Sequence, residues 1–87
     1  FNIASYSLLI HIIAKECEYE VGEFIHSLGD FHIYEEHFEQ VKIQLIREPK
    51  KLPTLKFKQK KWSEYKTSDF ELINYDHHPK IDAPMNV

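Results

Sequence analysis

Phe1-Asn2-Ile3-Ala4-Ser5-Tyr6-Ser7-Leu8-Leu9-Ile10-His11-Ile12-Ile13-Ala14-Lys15-Glu16 opens the chain and decides how the rest must be organised. Ile3, Ala4, Leu8, Leu9, Ile10, Ile12, Ile13 and Ala14 predict a helix over 3–16, with Ser5, Ser7, His11 and Lys15 as its small polar share. A helix apolar on most sides belongs in the middle of a core, not on its rim. Asn2 is placed to act as its N-cap, and Gly22 stops the segment a little later. The 87 residues suffice for one domain at most. A domain of that size buries only roughly 60–65% of its unfolded surface. Further chain upstream is expected to supply the cover that this helix needs.

Outward from the helix, residues 23–34 alternate as a strand does. Phe24, His26, Leu28, Asp30, His32 and Tyr34 fall on one parity, and Ile25, Ser27, Gly29, Phe31 and Ile33 on the other. Side chains at i, i+2 and i+4 share a face, so Asp30, His32 and Tyr34 should project together. Gly29 can host a bulge upstream of that trio. A short helix is expected over 35–43, with Phe38, Val41 and Leu45 at core spacing. Pro49 and Pro53 bracket a loop. Leu55 and Phe57 then alternate with Thr54, Lys56 and Lys58 as a half-exposed strand. The polar connection 59–67 carries Trp62 and Tyr65, and Phe70 to Tyr75 reads as a final strand. From Asp76 on there is no periodicity. The pattern is α+β.

Composition narrows the classes of function. Apolar residues make up 43% and aromatic ones 14%, which is globular rather than disordered. The net charge of −3 is not the strongly basic balance of a dedicated nucleic-acid domain. Lys56, Lys58, Lys60 and Lys61 beside Trp62 could suggest an RNA patch. Alternating lysines on the wet face of a strand more simply solvate and protect its edge, so RNA binding is not expected. A single cysteine, Cys17, excludes an internal disulfide and suits a reducing compartment. No apolar run approaches the ~20 residues that cross a bilayer, and the opening stretch lacks the features of a signal peptide. A cytoplasmic location is the expectation. His26, His32, His37, His77 and His78 show no zinc-ligand spacing, so no metal is expected either.

Four phrases in fixed order carry more. They are Phe1-Asn2-Ile3-Ala4-Ser5-Tyr6, Gly29-Asp30-Phe31-His32-Ile33-Tyr34, Gln44-Leu45-Ile46-Arg47-Glu48-Pro49, and His78-Pro79-Lys80-Ile81-Asp82-Ala83-Pro84-Met85-Asn86-Val87. Together they resemble the C-terminal part of the thymidylate synthase family, over essentially the whole chain. The resemblance implies an α+β thymidylate synthase fold, a mixed sheet with flanking helices, of which residues 1–87 are the C-terminal part of a single catalytic domain. It implies a homodimer packed sheet to sheet, with the remaining N-terminal part of the enzyme as a further partner.

The implied reaction is reductive methylation of dUMP to dTMP, with the reduced folate 5,10-methylenetetrahydrofolate as cosubstrate. Asn2 matches the asparagine that reads uracil. A carboxamide offers an acceptor and donors side by side, the pattern that pairs with N3–H and O4, and the related cytidylate enzymes carry aspartate there. His32 and Tyr34 match the pair that grips the 3′-hydroxyl. Asn86 and Val87 match the tail that covers the folate, with asparagine a departure from the usual small residue. Phe1, with Tyr34, is a candidate for the folate-facing wall.

The family nucleophile sits in a Pro-Cys-His phrase that this chain lacks. Cys17, between Glu16 and Glu18, has an electrostatic setting that disfavours a thiolate, and it is expected to be structural. The chain alone is therefore expected to be inactive. Two other readings remain open: a deoxyuridylate hydroxymethylase of the same fold, and a non-catalytic interaction module. Arg47 is expected to tie the chain internally to a carboxylate.

Overall fold

A computed structural model describes residues 1–85. It contains α1 (Asn2–Glu16), a 3₁₀ turn at Glu35–His37 that runs into α2 (Phe38–Leu45), and β1 (Thr54–Lys56). Two further 3₁₀ turns, Trp62–Glu64 and Thr67–Asp69, precede β2 (Glu71–Ile73). The chain divides into two interleaved compact units. The first comprises Phe1–Gly29 and Phe57–Phe70, the second Asp30–Lys56 and the chain from Glu71 on. Helices with one antiparallel strand pair make this an α+β chain. No helix is long and apolar enough to cross a membrane among the described residues.

In the first unit, α1 forms where the apolar run predicts it, but it starts one residue early. Phe1 is the N-cap, its carbonyl accepting both the Ser5 N–H and the Ser5 hydroxyl at 3.0 Å. Asn2 is thus the first helical residue instead of the cap. The helix also ends well before Gly22. The Tyr19 N–H reaches the Ala14 carbonyl at 2.8 Å and the Glu18 N–H reaches Lys15 at 3.3 Å, a Schellman closure around Cys17. Glu18 takes the left-handed position with φ 58°, where glycine is the usual occupant. Gly22 and Gly29 both keep negative φ, so neither is conformationally required where it stands.

The apolar sides of α1 remain open. Ala14 is the only residue that counts as buried among those described, while Ile3, Tyr6 and Ile13 are 56%, 59% and 48% exposed. One part of the helix does find partners. The Lys15 ammonium lies 4.3 Å from the Phe57 ring centre and donates to the Phe57 carbonyl. Gln59 donates to Glu16 at 3.0 Å. Phe57, Tyr65 and Phe70 pack their rings at centroid distances of 5.2–6.2 Å, in the range where aromatic pairs attract. Asp69 ties the following turn, accepting from Lys60 Nζ at 2.6 Å and from the Lys66 N–H at 2.7 Å. The Lys60 ammonium and then the Lys66 N–H hold its carboxyl below the ordinary range.

In the second unit, β1 and β2 pair antiparallel with Thr54 opposite Ile73, Leu55 opposite Leu72 and Lys56 opposite Glu71. An apolar pair and an opposite-charge pair therefore face each other across the ladder, both favourable cross-strand arrangements. Asn74 ends β2 in the left-handed conformation at φ 58°, which asparagine tolerates better than most residues. β2 is shorter than the strand expected over 70–75. α2 forms as expected, yet Phe38 and Leu45 are 47% and 77% exposed, so their spacing does not mark a core here.

The strand expected over 23–34 is not present. Alternation sets which side chains share a face, whereas a strand exists through its ladder, and no described segment pairs with 23–34. The local extended geometry survives without the ladder. Phe24 and His26 stack at 6.2 Å, and Tyr34 sits at φ −65°, ψ 140°.

Candidate functional site

Asn2 stands at the first turn of α1, exposed, and its carboxamide takes no partner among the described residues. Asn2 is the first helical residue, and no side chain caps this helix start. No acidic residue lies in that turn, so the positive end of the helix dipole is uncompensated beside the carboxamide. A donor–acceptor pair at a positive pole suits an amide-like ring edge that gathers negative charge on its oxygen. Phe1 is wholly exposed at 104%. Its ring is an open aromatic face, of the kind on which a flat aromatic group can stack.

His32 and Tyr34 belong to the second unit, and there the i, i+2 expectation holds. Their rings meet edge to face at 5.7 Å, and His32 Nδ1 lies 3.7 Å from an Asp30 carboxylate oxygen. Imidazole and phenol are thus adjacent, both exposed, with the carboxylate beside them to orient the imidazole. Such a pair can hold one hydroxyl between an N–H donor and a phenol that both donates and accepts. Asn86 and Val87, the pair expected to touch the folate, lie outside the described residues.

Sequence reasoning missed the next two residues. His37 stands edge to face with Tyr34 at 5.8 Å, and its Nε2–H donates to the Pro84 carbonyl at 2.6 Å. Gln40 Nε2 donates to the Asp82 carbonyl at 3.3 Å, while its Oε1 is buried with no partner. His78 Nε2–H donates to the Glu48 carbonyl at 2.8 Å. Thus the aperiodic stretch after Asp76 is fastened to the α2 region at three main-chain oxygens. His37 carried a sequence signal only as one of several histidines, and Gln40 carried none.

A cleft of about 620 Å³ in the same unit is lined by Arg47, Lys51, Tyr75, His78 and Ile81, among others. None of the predicted site residues lines it. Arg47 reaches into this cleft and makes no ion pair among the described residues, contrary to the carboxylate tie expected of it. Cys17 is exposed at the end of α1. Among the described residues no three histidine, cysteine, aspartate or glutamate side chains cluster as metal ligands do.

A family model described as thymidylate synthase matches residues 1–87. The chain is 60% identical over 89 aligned residues to a thymidylate synthase of Francisella philomiragia and 57% identical to one of Francisella tularensis. It is 51% identical over 88 to one of Mycoplasma pneumoniae. Each match covers all of this chain but only 31–32% of the relative, so the chain spans about a third of their length. This chain belongs to the thymidylate synthase family.

Proposed function

We propose that the protein of which this chain is part is a thymidylate synthase that converts dUMP to dTMP. The observation that carries this reading is the unbonded carboxamide of Asn2 at the positive end of α1, in a chain whose named relatives are thymidylate synthases. Asn2 would bind the uracil edge through N3–H and O4. A cytosine nucleotide presents the opposite pattern at those atoms and would leave buried groups unsatisfied. The same carboxamide, with the helix pole, would stabilise charge that develops on O4 as a cysteine from outside this chain adds to C6.

His32 and Tyr34 would hold the sugar hydroxyl. In this reading the carboxamide, imidazole and phenol converge on one nucleotide. Bound 5,10-methylenetetrahydrofolate supplies the one-carbon unit and the hydride. Phe1 and Tyr34 would wall that site, and the tail ending in Asn86 and Val87 would close it and exclude water. In a protein of the relatives' length, further chain would complete a mixed sheet with flanking helices and cover the exposed sides of α1. A cytoplasmic homodimer is the form proposed, and the chain alone would not turn over.

The test is product analysis with the full-length protein, dUMP and 5,10-methylenetetrahydrofolate. Formation of dTMP with stoichiometric dihydrofolate is expected. A hydroxymethyl product, or no turnover in a protein that binds its nucleotide, contradicts the reading.

A further inference from the structure

His37 is the N-cap of α2 and Gln40 is its third residue. These are the two positions whose side chains, in a capping box, satisfy the open N–H groups of a helix start. Neither does so here. The His37 side chain makes no capping bond. Its Nε2–H instead goes to the Pro84 carbonyl, and the Gln40 amide goes to the Asp82 carbonyl. The preceding 3₁₀ turn takes the Phe38 N–H on the Glu35 carbonyl, while Gln40 Oε1 remains buried without a donor. The two polar side chains at the junction of the 3₁₀ turn and α2 thus hold another segment.

The geometry of that grip is specific. Residues 37 and 40 lie one turn apart on the same side of a helix start. The Asp82 and Pro84 carbonyls lie two residues apart, the spacing at which an extended chain presents groups to one side. A one-residue slip of the tail would turn both carbonyls away. Because only main-chain oxygens are held, the grip fixes which side of the tail faces α2 without regard to the tail's side chains. Tyr34 touches the His37 ring from the other direction. The residue expected to hold the sugar and the residue that holds the tail are therefore in contact.

We infer that His37 and Gln40 are positioning residues that hold the C-terminal tail at Asp82 and Pro84, and that His37 links tail placement to Tyr34. The grip itself stands on the hydrogen bonds. Its consequence for folate binding rests on the function proposed above.

Two variants of the full-length protein test it: His37→Ala and Gln40→Leu. The leucine keeps volume and removes the orphaned oxygen, so a merely structural Gln40 predicts unchanged or better stability. Limited trypsin digestion reports the tail directly, through release of the peptide that follows Lys80, itself an exposed side chain at 84%. Each variant is expected to release this peptide roughly fivefold faster, the factor carried by one lost hydrogen bond. Each should also raise the KM for 5,10-methylenetetrahydrofolate by a similar factor, and Gln40→Leu, which leaves the Tyr34–His37 ring contact in place, should leave dUMP affinity within twofold. Tyr34→Phe, which keeps the ring against His37, should weaken dUMP without altering tail release. Unchanged peptide release in both variants overturns the grip, and faster release with an unchanged folate KM overturns its link to the site. A wild-type protein that makes no dTMP defeats the proposed function instead, and the digestion result stands apart from it.

Discussion

The two compact units are held together by different physics. In the first, rings do the work: Phe57, Tyr65 and Phe70 pack on one another, and the Lys15 ammonium caps the Phe57 face. In the second, side-chain donors on the α2 region and the tail hold main-chain oxygens, through His37, Gln40 and His78. Ring packing is non-directional and tolerates small shifts, so it suits a scaffold that presents Asn2. Hydrogen bonds to carbonyls are directional and register-specific, so they suit a segment that must stop at a defined place.

Breaking each mode separately sharpens the contrast. Phe57→Ala in the full-length protein removes two ring contacts and the cation–π partner of a half-exposed side chain. A loss of about 1–2 kcal/mol of local stability is expected, read as roughly tenfold faster amide exchange across 57–70. His78→Ala removes one bond to the Glu48 carbonyl and should cost about 1 kcal/mol. Its faster exchange should be confined to the segments around Glu48 and His78. If His78→Ala instead loosened 57–70 as much as Phe57→Ala does, the two modes would not be separable.

The smallest effect lies at Asp69, where a polar tie serves the aromatic unit. Its folded-state value is depressed by Lys60 and by the Lys66 N–H. Its contribution is thus present above the unfolded carboxylate value and is lost as pH falls through the folded one. A carboxyl titration followed by NMR should show a midpoint below the ordinary 3.8, and Lys60→Ala should move that midpoint up. A midpoint at or above the ordinary value would remove this tie from the account.

The same contrast explains what the sequence disclosed. α1 was legible because eight apolar residues crowd one helical stretch, and the facing of His32 with Tyr34 followed from i, i+2 geometry alone. The half-exposed strand around Leu55 was visible in its alternation. Its pairing was not, because the Lys56–Glu71 register is set across an intervening segment that belongs to the other unit. The expected strand over 23–34 erred in the opposite sense, since a facing pattern was present without a ladder to use it. Asn2 was misread as a cap because cap preference is a side-chain statistic, while the helix start was fixed by the Phe1 carbonyl. The tail's fastenings left no trace, for a donor aimed at a main-chain oxygen imposes no pattern on the residues it holds. The proposal that Asn2, His32 and Tyr34 serve one nucleotide rests on the four phrases that resemble the family, not on any local pattern.

Substrate discrimination by the full-length protein bears most directly on the claim that Asn2 reads the pyrimidine edge. Asn2→Asp should lower kcat/KM for dUMP by at least about 10²-fold and shift binding preference toward dCMP, because the carboxylate no longer offers a donor to O4. An unchanged ratio of dUMP to dCMP affinity in that variant would contradict the account.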